Sequence, residues 1–563
     1  MRHESRRVSH ENPSQYAIAT VPPEMEPATR PPVRPFLVAL GVVTALRVFT
    51  AASVPLSGDE AYYWTWTQHL ALGYHDHPPM VAWIAALSTS ILGSTTLAVR
   101  LPFVLMGTGV AWLSFILGWD ISRSPRGAAW AGSLPLMVPL FTVAGVGVFP
   151  DSPLLLACAG FFVCAWRAVT APERARWWLG AGACAGAAVM SKLTGLYLLP
   201  TLFTFLALSP PHRRLLMRVG PWLAVGAALV MASPFIYWNV THHFESLAYQ
   251  FASRLGSGSA HHSLHTPGFV LLSAVAVSPI LYAMLVWATL SAGWNGWRGD
   301  ARLLYVFCMA APLHVAFLIV SIITKVGLHW TAPGTLASFS AFGAWMSVGG
   351  SRLRRAACAL GVALAVAVSG LVYFFSLDPS GLVGLVAGGM QISGVNQGRA
   401  LKTQEITEIL GYPQMGDEIR AMAEKARPSG SPPFLFTTSY ALSSTLWFYS
   451  GEPFHVVMGT RMGAQYDHWD DFGALLGRDA LYIDTCPIDT REDVWTHLHE
   501  AFEGVTLEPP IVTHGRGVEA RTFYVARCRR FRYDVFTPMK SIHLVGGVPL
   551  PPGWSPTPLP EPH

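Results

Sequence analysis

Long apolar runs separated by short polar segments dominate the sequence from Phe36 to about Phe375. A helix needs roughly 20 apolar residues to cross a bilayer. We predict eleven spanning helices, near residues 36–54, 98–118, 127–148, 152–170, 177–190, 193–208, 219–238, 267–290, 303–323, 330–348 and 356–376. The composition agrees, because 13% of the residues are charged and a soluble domain carries roughly 25%. The chain is therefore predicted to be an α-helical polytopic membrane protein.

Arginines in the short loops fall mainly on one side of this predicted topology. The loops on the side of the N-terminus hold Arg123, Arg126, Arg174, Arg176, Arg213, Arg214, Arg218, Arg298, Arg302, Arg352, Arg354 and Arg355. Short loops rich in Lys and Arg remain in the cytoplasm. We therefore expect a protein of the cell inner (cytoplasmic) membrane, with its N-terminus inside and its odd-numbered loops on the outer, periplasmic face.

The composition divides the chain into four predicted regions. These are a disordered cytoplasmic arm at 1–35, a transmembrane domain at 36–376, an extracytoplasmic α/β domain at 377–547 and a Pro-rich tail at 548–563. The arm is too polar to be expected as a secretory signal. In the α/β domain, predicted strands near 434–438, 455–458, 481–484 and 523–526 alternate with helices near 415–426, 440–449 and 491–503. Cys486 and Cys528 lie in this domain, and a disulfide between them is an open alternative if the domain is outside the cytoplasm.

Acidic and aromatic side chains crowd the first predicted outer loop. Asp59 and Glu60 follow the first apolar run directly, and Tyr62 and Tyr63 come next. Charge beside a bilayer is costly and usually marks a functional site. The alternative is structural, with Asp59 capping a helix that begins at Glu60.

Two further charged residues are predicted to lie on the same face. Asp151 lies between the third and fourth predicted spans, and Lys192 interrupts an apolar stretch at the outer end of the fifth. Asp151 could instead cap the next helix, which carries an early proline. Lys192 could extend to the interface or bind a phosphate as a point charge.

Histidines supply two weaker candidates. His75 and His77 flank Asp76, and because these residue types bind metals, a divalent metal site is an open alternative. His329 lies beside Trp330 and is more typical of packing or hydrogen bonding. The sequence contains no nucleotide-phosphate loop, and no nucleic acid is expected as a partner.

Acids, a cation and aromatic rings on one outer face suit the transfer of a sugar from a polyprenyl phosphate. The main alternative is a transporter or flippase for a lipid-linked or small polar cargo, in which the same acids relay protons or bind the cargo. Transporters often contain repeats and midplane charges, whereas here the acids cluster at one face and no repeat is evident. A scaffold with an inactive catalytic part is a third alternative.

Several segments together resemble a known family. They are GDEAYYW at 58–64, GYHDHPPMVAW at 73–83, VRLP at 99–102, PDSPL at 150–154, SKLTG at 191–195 and PFIYWN at 234–239. In these segments the chain resembles bacterial glycosyltransferases of the C-type fold, the dolichyl-phosphate-mannose-protein mannosyltransferase-like proteins related to the lipid A aminoarabinose transferase. The likeness extends over residues 36–350 and more loosely to Gln465-Tyr466-Asp467.

This resemblance implies an inverting transfer from a polyprenyl-phosphate sugar to a lipid, glycan or protein acceptor, among membrane lipids. It implies catalytic roles for Asp59, Glu60 and Asp151, with Asp59 as the base, and a phosphate-binding role for Lys192. We expect substrate contacts at Lys192, His77, Tyr62, Tyr63, Arg100 and His329. No metal is required, because phosphate is already a good leaving group. His77 stands where the aminoarabinose transferases carry lysine, so the resemblance does not name the sugar.

Overall fold

The computed structural model describes residues 33–250, 265–378, 403–426, 432–456, 465–515 and 518–532. Most of the predicted arm at 1–35 and the whole predicted tail at 548–563 lie outside these ranges. The predicted domain boundaries therefore remain predictions, although within the described ranges helices dominate up to Leu377 and every strand lies after Pro433.

Each of the eleven predicted spans contains helix. The helices of this part are α1 (Val33–Ser53), α2 (Gly58–Thr65), α3 (Met80–Leu92), α4 (Thr96–Ser122), α5 (Pro125–Met137), α6 (Pro139–Ala144), α7 (Asp151–Thr170), α8 (Ala175–Ser191), α9 (Leu198–Leu208), α10 (Val219–Thr241), α11 (Glu245–Ala248), α12 (His265–Val277), α13 (Pro279–Trp297), α14 (Ala301–Val320), α15 (Ala332–Ser347) and α16 (Arg352–Leu377).

Fewer of these helices than predicted are long enough to span a membrane singly. Within the described ranges, six helices have sufficient length and hydropathy: α1, α4, α7, α10, α14 and α16. The number rises to seven if α12 and α13, which meet at 103°, form one broken span. The expected total of about eleven single spans is thus higher than the helix lengths support. Prolines explain part of the difference, because Pro139 and Pro279 each begin a new helix within a predicted span.

A buried arginine stabilises one of these breaks. Pro139 has no N–H to donate to the carbonyl of Pro135, one turn earlier. Arg47 of α1 supplies the missing donor, because its Nη2 lies 3.1 Å from the Pro135 oxygen and 3.2 Å from that of Phe141. Arg47 is 1% exposed, and a cavity of about 10 Å³ adjoins it, with room for about one water molecule. Gly145 makes space for the guanidinium, since a Cβ there would lie 2.5 Å from the Arg47 Cζ.

The C-terminal part is a small α/β unit, as predicted. Its elements are α17 (Thr403–Ala426), β1 (Phe434–Thr437), α18 (Tyr440–Ser450), β2 (Phe454–Val456), β3 (Ala480–Asp484), α19 (Glu492–Ala501), β4 (Phe502–Leu507), β5 (Ile511–Gly515) and β6 (Val518–Phe531). The sheet order is β2-β1-β3-β6-β4, with β5 also on β6. The β1 pairings are parallel, and those of β6 are antiparallel. The strands β4 and β5 were not predicted. All seven cysteines are free thiols, with Cys486 exposed and Cys528 buried.

The α/β unit packs directly on the first loop (residues 54–95). The phenol of Tyr449 accepts a hydrogen bond from the Leu56 amide at 2.8 Å. Trp64 of α2 packs edge-on against Phe448, with ring centroids 5.0 Å apart. At Gly58, a Cβ would lie 2.7 Å from the Ala441 Cβ, so only glycine permits this approach of α2 to α18. The loop that carries the candidate acids is therefore held between the helices and the α/β unit.

Candidate functional site

Helix α2 presents the two candidate acids in different directions. Ser57 is its N-cap, and the helix begins at Gly58, so the alternative that Asp59 caps a helix starting at Glu60 is wrong. Glu60 instead occupies the third helical position and accepts hydrogen bonds from the Ser57 amide and hydroxyl, each at 3.0 Å. Such a reciprocal contact satisfies donors that the first turn would otherwise leave unpaired.

Glu60 forms a buried ion pair with Arg100 of α4. The Arg100 Nε donates to Glu60 Oε1 at 2.7 Å and its Nη2 donates to Oε2 at 2.6 Å. The Val148 amide donates to the same carboxylate at 3.1 Å. Burial raises the pKa of Glu60, but the charge of Arg100 and these hydrogen bonds outweigh it, so the net pKa is lowered. This arrangement favours a bracing role, and the predicted catalytic role of Glu60 and substrate contact of Arg100 stay predictions.

Asp59 is open to solvent and lies where the α/β unit meets the first loop. Tyr440 of α18 donates a hydrogen bond to its Oδ1 at 3.4 Å. The pKa of Asp59 lies above its usual value, chiefly because neighbouring protein atoms remove water from around the carboxylate. The hydrogen bond from Tyr440 lowers the pKa, and the negative charge of Glu60 raises it again. A carboxylate with a raised pKa and access to solvent is well suited to accept a proton from an acceptor hydroxyl.

The second acid and the lysine form a pair. Asp151 is the first residue of α7, whose N-cap is Pro150, and Lys192 follows the end of α8. The Lys192 Nζ lies 3.0 Å from Asp151 Oδ1 and 2.9 Å from Oδ2, and both residues are buried. Asp151 is therefore not the N-cap of α7, and Lys192 binds Asp151 inside the protein instead of extending to the membrane interface. The pair places a buried ammonium at the end of two helices.

Two neighbouring tyrosines of α2, Tyr62 and Tyr63, lie close to acidic side chains. Burial raises the pKa of Tyr63 well above its usual value, and the charges of Asp59, Asp76 and Asp151 raise it further. Tyr63 therefore lies within electrostatic reach of both candidate acids and keeps its proton. Tyr62 donates a hydrogen bond to Asp76 Oδ2.

His77 and His329 occupy different surroundings. His77 is 8% exposed, and its ring centroid lies 6.2 Å from that of Tyr63, so it belongs to the neighbourhood of the site. His329 is exposed and packs edge-on near Trp330, with ring centroids 6.4 Å apart. Substrate contact by either histidine stays a prediction.

The sequence analysis missed several side chains that complete this region. The backbone N–H of Gln465 donates a hydrogen bond to the Tyr62 hydroxyl at 2.8 Å, and its side-chain Oε1 accepts one from the His75 backbone N–H at 2.7 Å. Glu245 of α11 lies 2.7 Å from His75 Nδ1 and 3.1 Å from His468 Nε2. Glu245 was signalled as a charge close behind an apolar run, and Gln465 lies in the segment to which the resemblance extends loosely. The contact of Gln465 with His75 spans 390 residues of sequence, beyond the reach of local patterns.

Comparisons with known proteins agree with the resemblance. Residues 76–238 match the family described as dolichyl-phosphate-mannose-protein mannosyltransferase. The chain is 25% identical over 288 residues to the lipid A galacturonosyltransferase RgtD of Rhizobium johnstonii (strain DSM 114642 / LMG 32736 / 3841). That alignment covers 50% of this chain and 58% of the relative, so the chain spans less than two thirds of the relative's length.

Solved structures share the fold. The chain is similar to ArnT from Cupriavidus metallidurans bound to undecaprenyl phosphate, with a TM-score of 0.61 and 17% sequence identity over 87% of this chain and 97% of that one. The apo structure of the same protein gives a TM-score of 0.54 with the same identity and coverage. The predicted resemblance to C-type glycosyltransferases is confirmed, as is the architecture of a multi-pass helical membrane protein with a small sheet unit at its C-terminal end.

Proposed function

We propose that this chain is a membrane glycosyltransferase that moves a sugar from a polyprenyl-phosphate donor to a lipid, glycan or protein acceptor, with inversion at the anomeric carbon. One observation carries the proposal: a solvent-open carboxylate, Asp59, and a buried pair of Asp151 and Lys192 both lie within electrostatic reach of Tyr63. A proton acceptor and a phosphate-binding cation are the two groups that such a transfer needs.

In the proposed reaction, Asp59 accepts the proton of the acceptor hydroxyl as its oxygen attacks the anomeric carbon. The bond from that carbon to the phosphate oxygen breaks, and its electron pair leaves with the polyprenyl phosphate. Lys192 stabilises the growing negative charge of the phosphate. Asp151 holds the ammonium in place and orients the acceptor or shares the role of base. The phenol of Tyr63, whose pKa is raised well above its usual value, stays protonated and is suited to donate a hydrogen bond to a sugar or phosphate oxygen.

A lipid is the acceptor class to test first. The relative from Rhizobium is named for its action on lipid A, and Asp151 of the candidate site begins α7, one of the helices long and apolar enough to cross a membrane. The distribution of arginine favours a site on the outer face of the cell inner membrane.

The test is transfer in vitro by the purified protein. Radiolabelled polyprenyl-phosphate sugars and a membrane lipid extract would be supplied to the wild type, to Asp59→Asn and to Asp417→Asn. Asp417 is a matched control, because it is an exposed acid on α17 whose partner is Arg420, at 3.1 Å. We expect Asp59→Asn to lose at least about 100-fold in rate, with wild-type rates for the control. Equal rates for Asp59→Asn at equal abundance would remove Asp59 from the mechanism.

The same experiment distinguishes the transporter alternative. If no donor is consumed by the wild type and labelled lipid crosses the bilayer of reconstituted vesicles, the protein is a transporter. If label reaches a product, mass analysis of that product identifies the acceptor class.

A further inference from the structure

Arg47 of α1 is a buried cation that has no acidic partner among the residues that the structure describes. Its Nη2 donates to the backbone carbonyls of Pro135 and Phe141, which are uncharged acceptors. Its Nε and Nη1 are also buried, and neither makes a hydrogen bond to a described residue. Both nitrogens carry N–H donors, and a guanidinium in a protein stays charged. Part of the Arg47 head group is therefore unsatisfied.

The acid that is close to this region is already paired. Asp151 directly precedes Ser152, which lines the cavity beside Arg47. The Lys192 Nζ lies 3.0 Å and 2.9 Å from the two carboxylate oxygens of Asp151, so the charge of this acid is compensated there. A buried charge without a counter-charge is strongly unfavourable. Arg47 thus lacks a negative partner that the described part of the chain could provide.

The cavity beside Arg47 has the size of a single-atom ion. Its volume is about 10 Å³, enough for about one water molecule and too little for a sulfate, a phosphate or a carboxylate. Gly107 and Gly145 both line it. A Cβ at Gly107 would lie 2.9 Å from the Arg47 Nη1, and a Cβ at Gly145 would lie 2.8 Å from both Nε and Nη1. The two glycines therefore leave the unpaired nitrogens uncovered.

We propose that Arg47 binds one monovalent anion of the halide type, such as chloride, in this cavity. The anion accepts hydrogen bonds from the unpaired N–H groups and supplies the missing counter-charge. A water molecule in the same place accepts a hydrogen bond but leaves the charge uncompensated. Water alone is therefore the competing occupant.

The proposed site lies where helices α1, α4, α5, α6 and α7 meet, because each of them contributes to the lining. A bound anion would join these helices and would hold the first turn of α7 through Ser152. The inference goes beyond the proposed function, because neither Arg47 nor the lining of its cavity takes part in the transfer step. Its failure would leave the mechanism at Asp59 unaffected, and failure of the transfer assay would leave the anion site unaffected.

The direct test is anomalous diffraction from the full-length protein. Crystals would be grown in a lipidic mesophase with sodium bromide in place of chloride, and data would be collected at the bromine absorption edge. We expect an anomalous peak within hydrogen-bond reach of the Arg47 Nε or Nη1. Density for water without an anomalous peak at this place would overturn the proposal.

The second test is thermal unfolding in detergent at constant ionic strength, with chloride exchanged for gluconate, which is too large for the cavity. The midpoint of the wild type should rise by about 1–2 °C once chloride exceeds its dissociation constant tenfold, and each further tenfold should add a similar increment. Arg47→Met should abolish this response. Val110→Ile keeps the arginine and adds a methylene to a residue that lines the cavity, so it should abolish the response even if Arg47→Met fails to fold.

Arg167→Met is the matched control. Arg167 also lies in a long apolar helix, α7, but its Nε donates to the Asp120 carboxylate at 3.0 Å. This variant should keep the wild-type response to chloride, whatever its effect on the midpoint itself. An equal response to chloride in Arg47→Met and the wild type would overturn the proposal.

Discussion

The buried ion pair of Glu60 and Arg100 offers a quantitative test of how the candidate site is supported. The perturbation is a set of three variants: Glu60→Gln, Arg100→Met and the double substitution. Both side chains are 4% exposed, so water cannot replace a lost partner. Arg100 also donates to the carbonyls of Ala51, Val54 and Pro55 at the end of α1, where a helix leaves carbonyls unpaired.

Removal of one partner should be costly. Breaking a buried pair leaves an uncompensated charge and costs about 3–5 kcal/mol in free energy of unfolding. We expect each single variant to fall in this range. The double variant removes both charges, so its loss in free energy of unfolding should be smaller than the sum of the two single losses by about 0.5–3 kcal/mol.

The pKa of Glu60 is lowered in the folded protein. Its ionised form therefore contributes stability above its ordinary pKa of 4.5, and that contribution is lost as the pH falls through the lowered pKa.

The assay is equilibrium unfolding in mixed micelles, in which SDS is titrated into a mild detergent and tryptophan fluorescence is followed. The control is the exposed pair of Arg420 and Asp417, with side chains 47% and 72% exposed, where Asp417→Asn should cost about 0.2–1 kcal/mol. If Arg100→Met is no less stable than Asp417→Asn, or if the single losses simply add, the description of this pair as a coupled brace is refuted.

Two further predictions concern the contact between α2 and α18. Tyr440→Phe removes the hydrogen bond that lowers the pKa of Asp59, so the acid limb of the kcat/KM profile should move to higher pH; a pH–rate profile that superimposes on the wild type would contradict this. Gly58→Ala places a Cβ 2.7 Å from that of Ala441 and should lower the midpoint of thermal unfolding. Gly41→Ala, with open space around it, should leave the midpoint unchanged or raise it, and equal midpoints for the two variants would contradict the close packing.

Apolar runs predicted the helices well because a segment inside a bilayer must pair its backbone N–H and C=O groups internally, and a helix does so within the run itself. The bend between α12 and α13 was not predicted. At this bend Ser278, which precedes Pro279, adopts a φ of 99°. A proline can begin, kink or end a helix, and the neighbours decide which occurs. In the α/β unit, β4 and β5 escaped detection because exposed apolar residues, Leu507 and Val512, obscure the alternation of apolar and polar residues. Their partner, β6, also lies later in the chain.

The candidate site was predictable where motifs were local. Asp59, Asp151 and Lys192 were named as candidates, but neither the contact of Asp59 with Tyr440 nor the pairing of Asp151 with Lys192 was predicted. Tyr440 reaches Asp59 across 381 residues of sequence, and hydrophobic periodicity contains no information about such a contact. The ion pair of Glu60 with Arg100 was missed for the same reason, since the two lie 40 residues apart.

The arginine in α1 has a consequence for how the protein is made. An unpaired arginine inside a bilayer costs roughly 2.5–3.5 kcal/mol on insertion scales. The carbonyls that accept hydrogen bonds from Arg47 lie 88 and 94 residues later in the chain. When α1 leaves the ribosome, these acceptors have not yet been synthesised. We therefore expect α1 to reach its final position in the bilayer only after α5 and α6 have arrived.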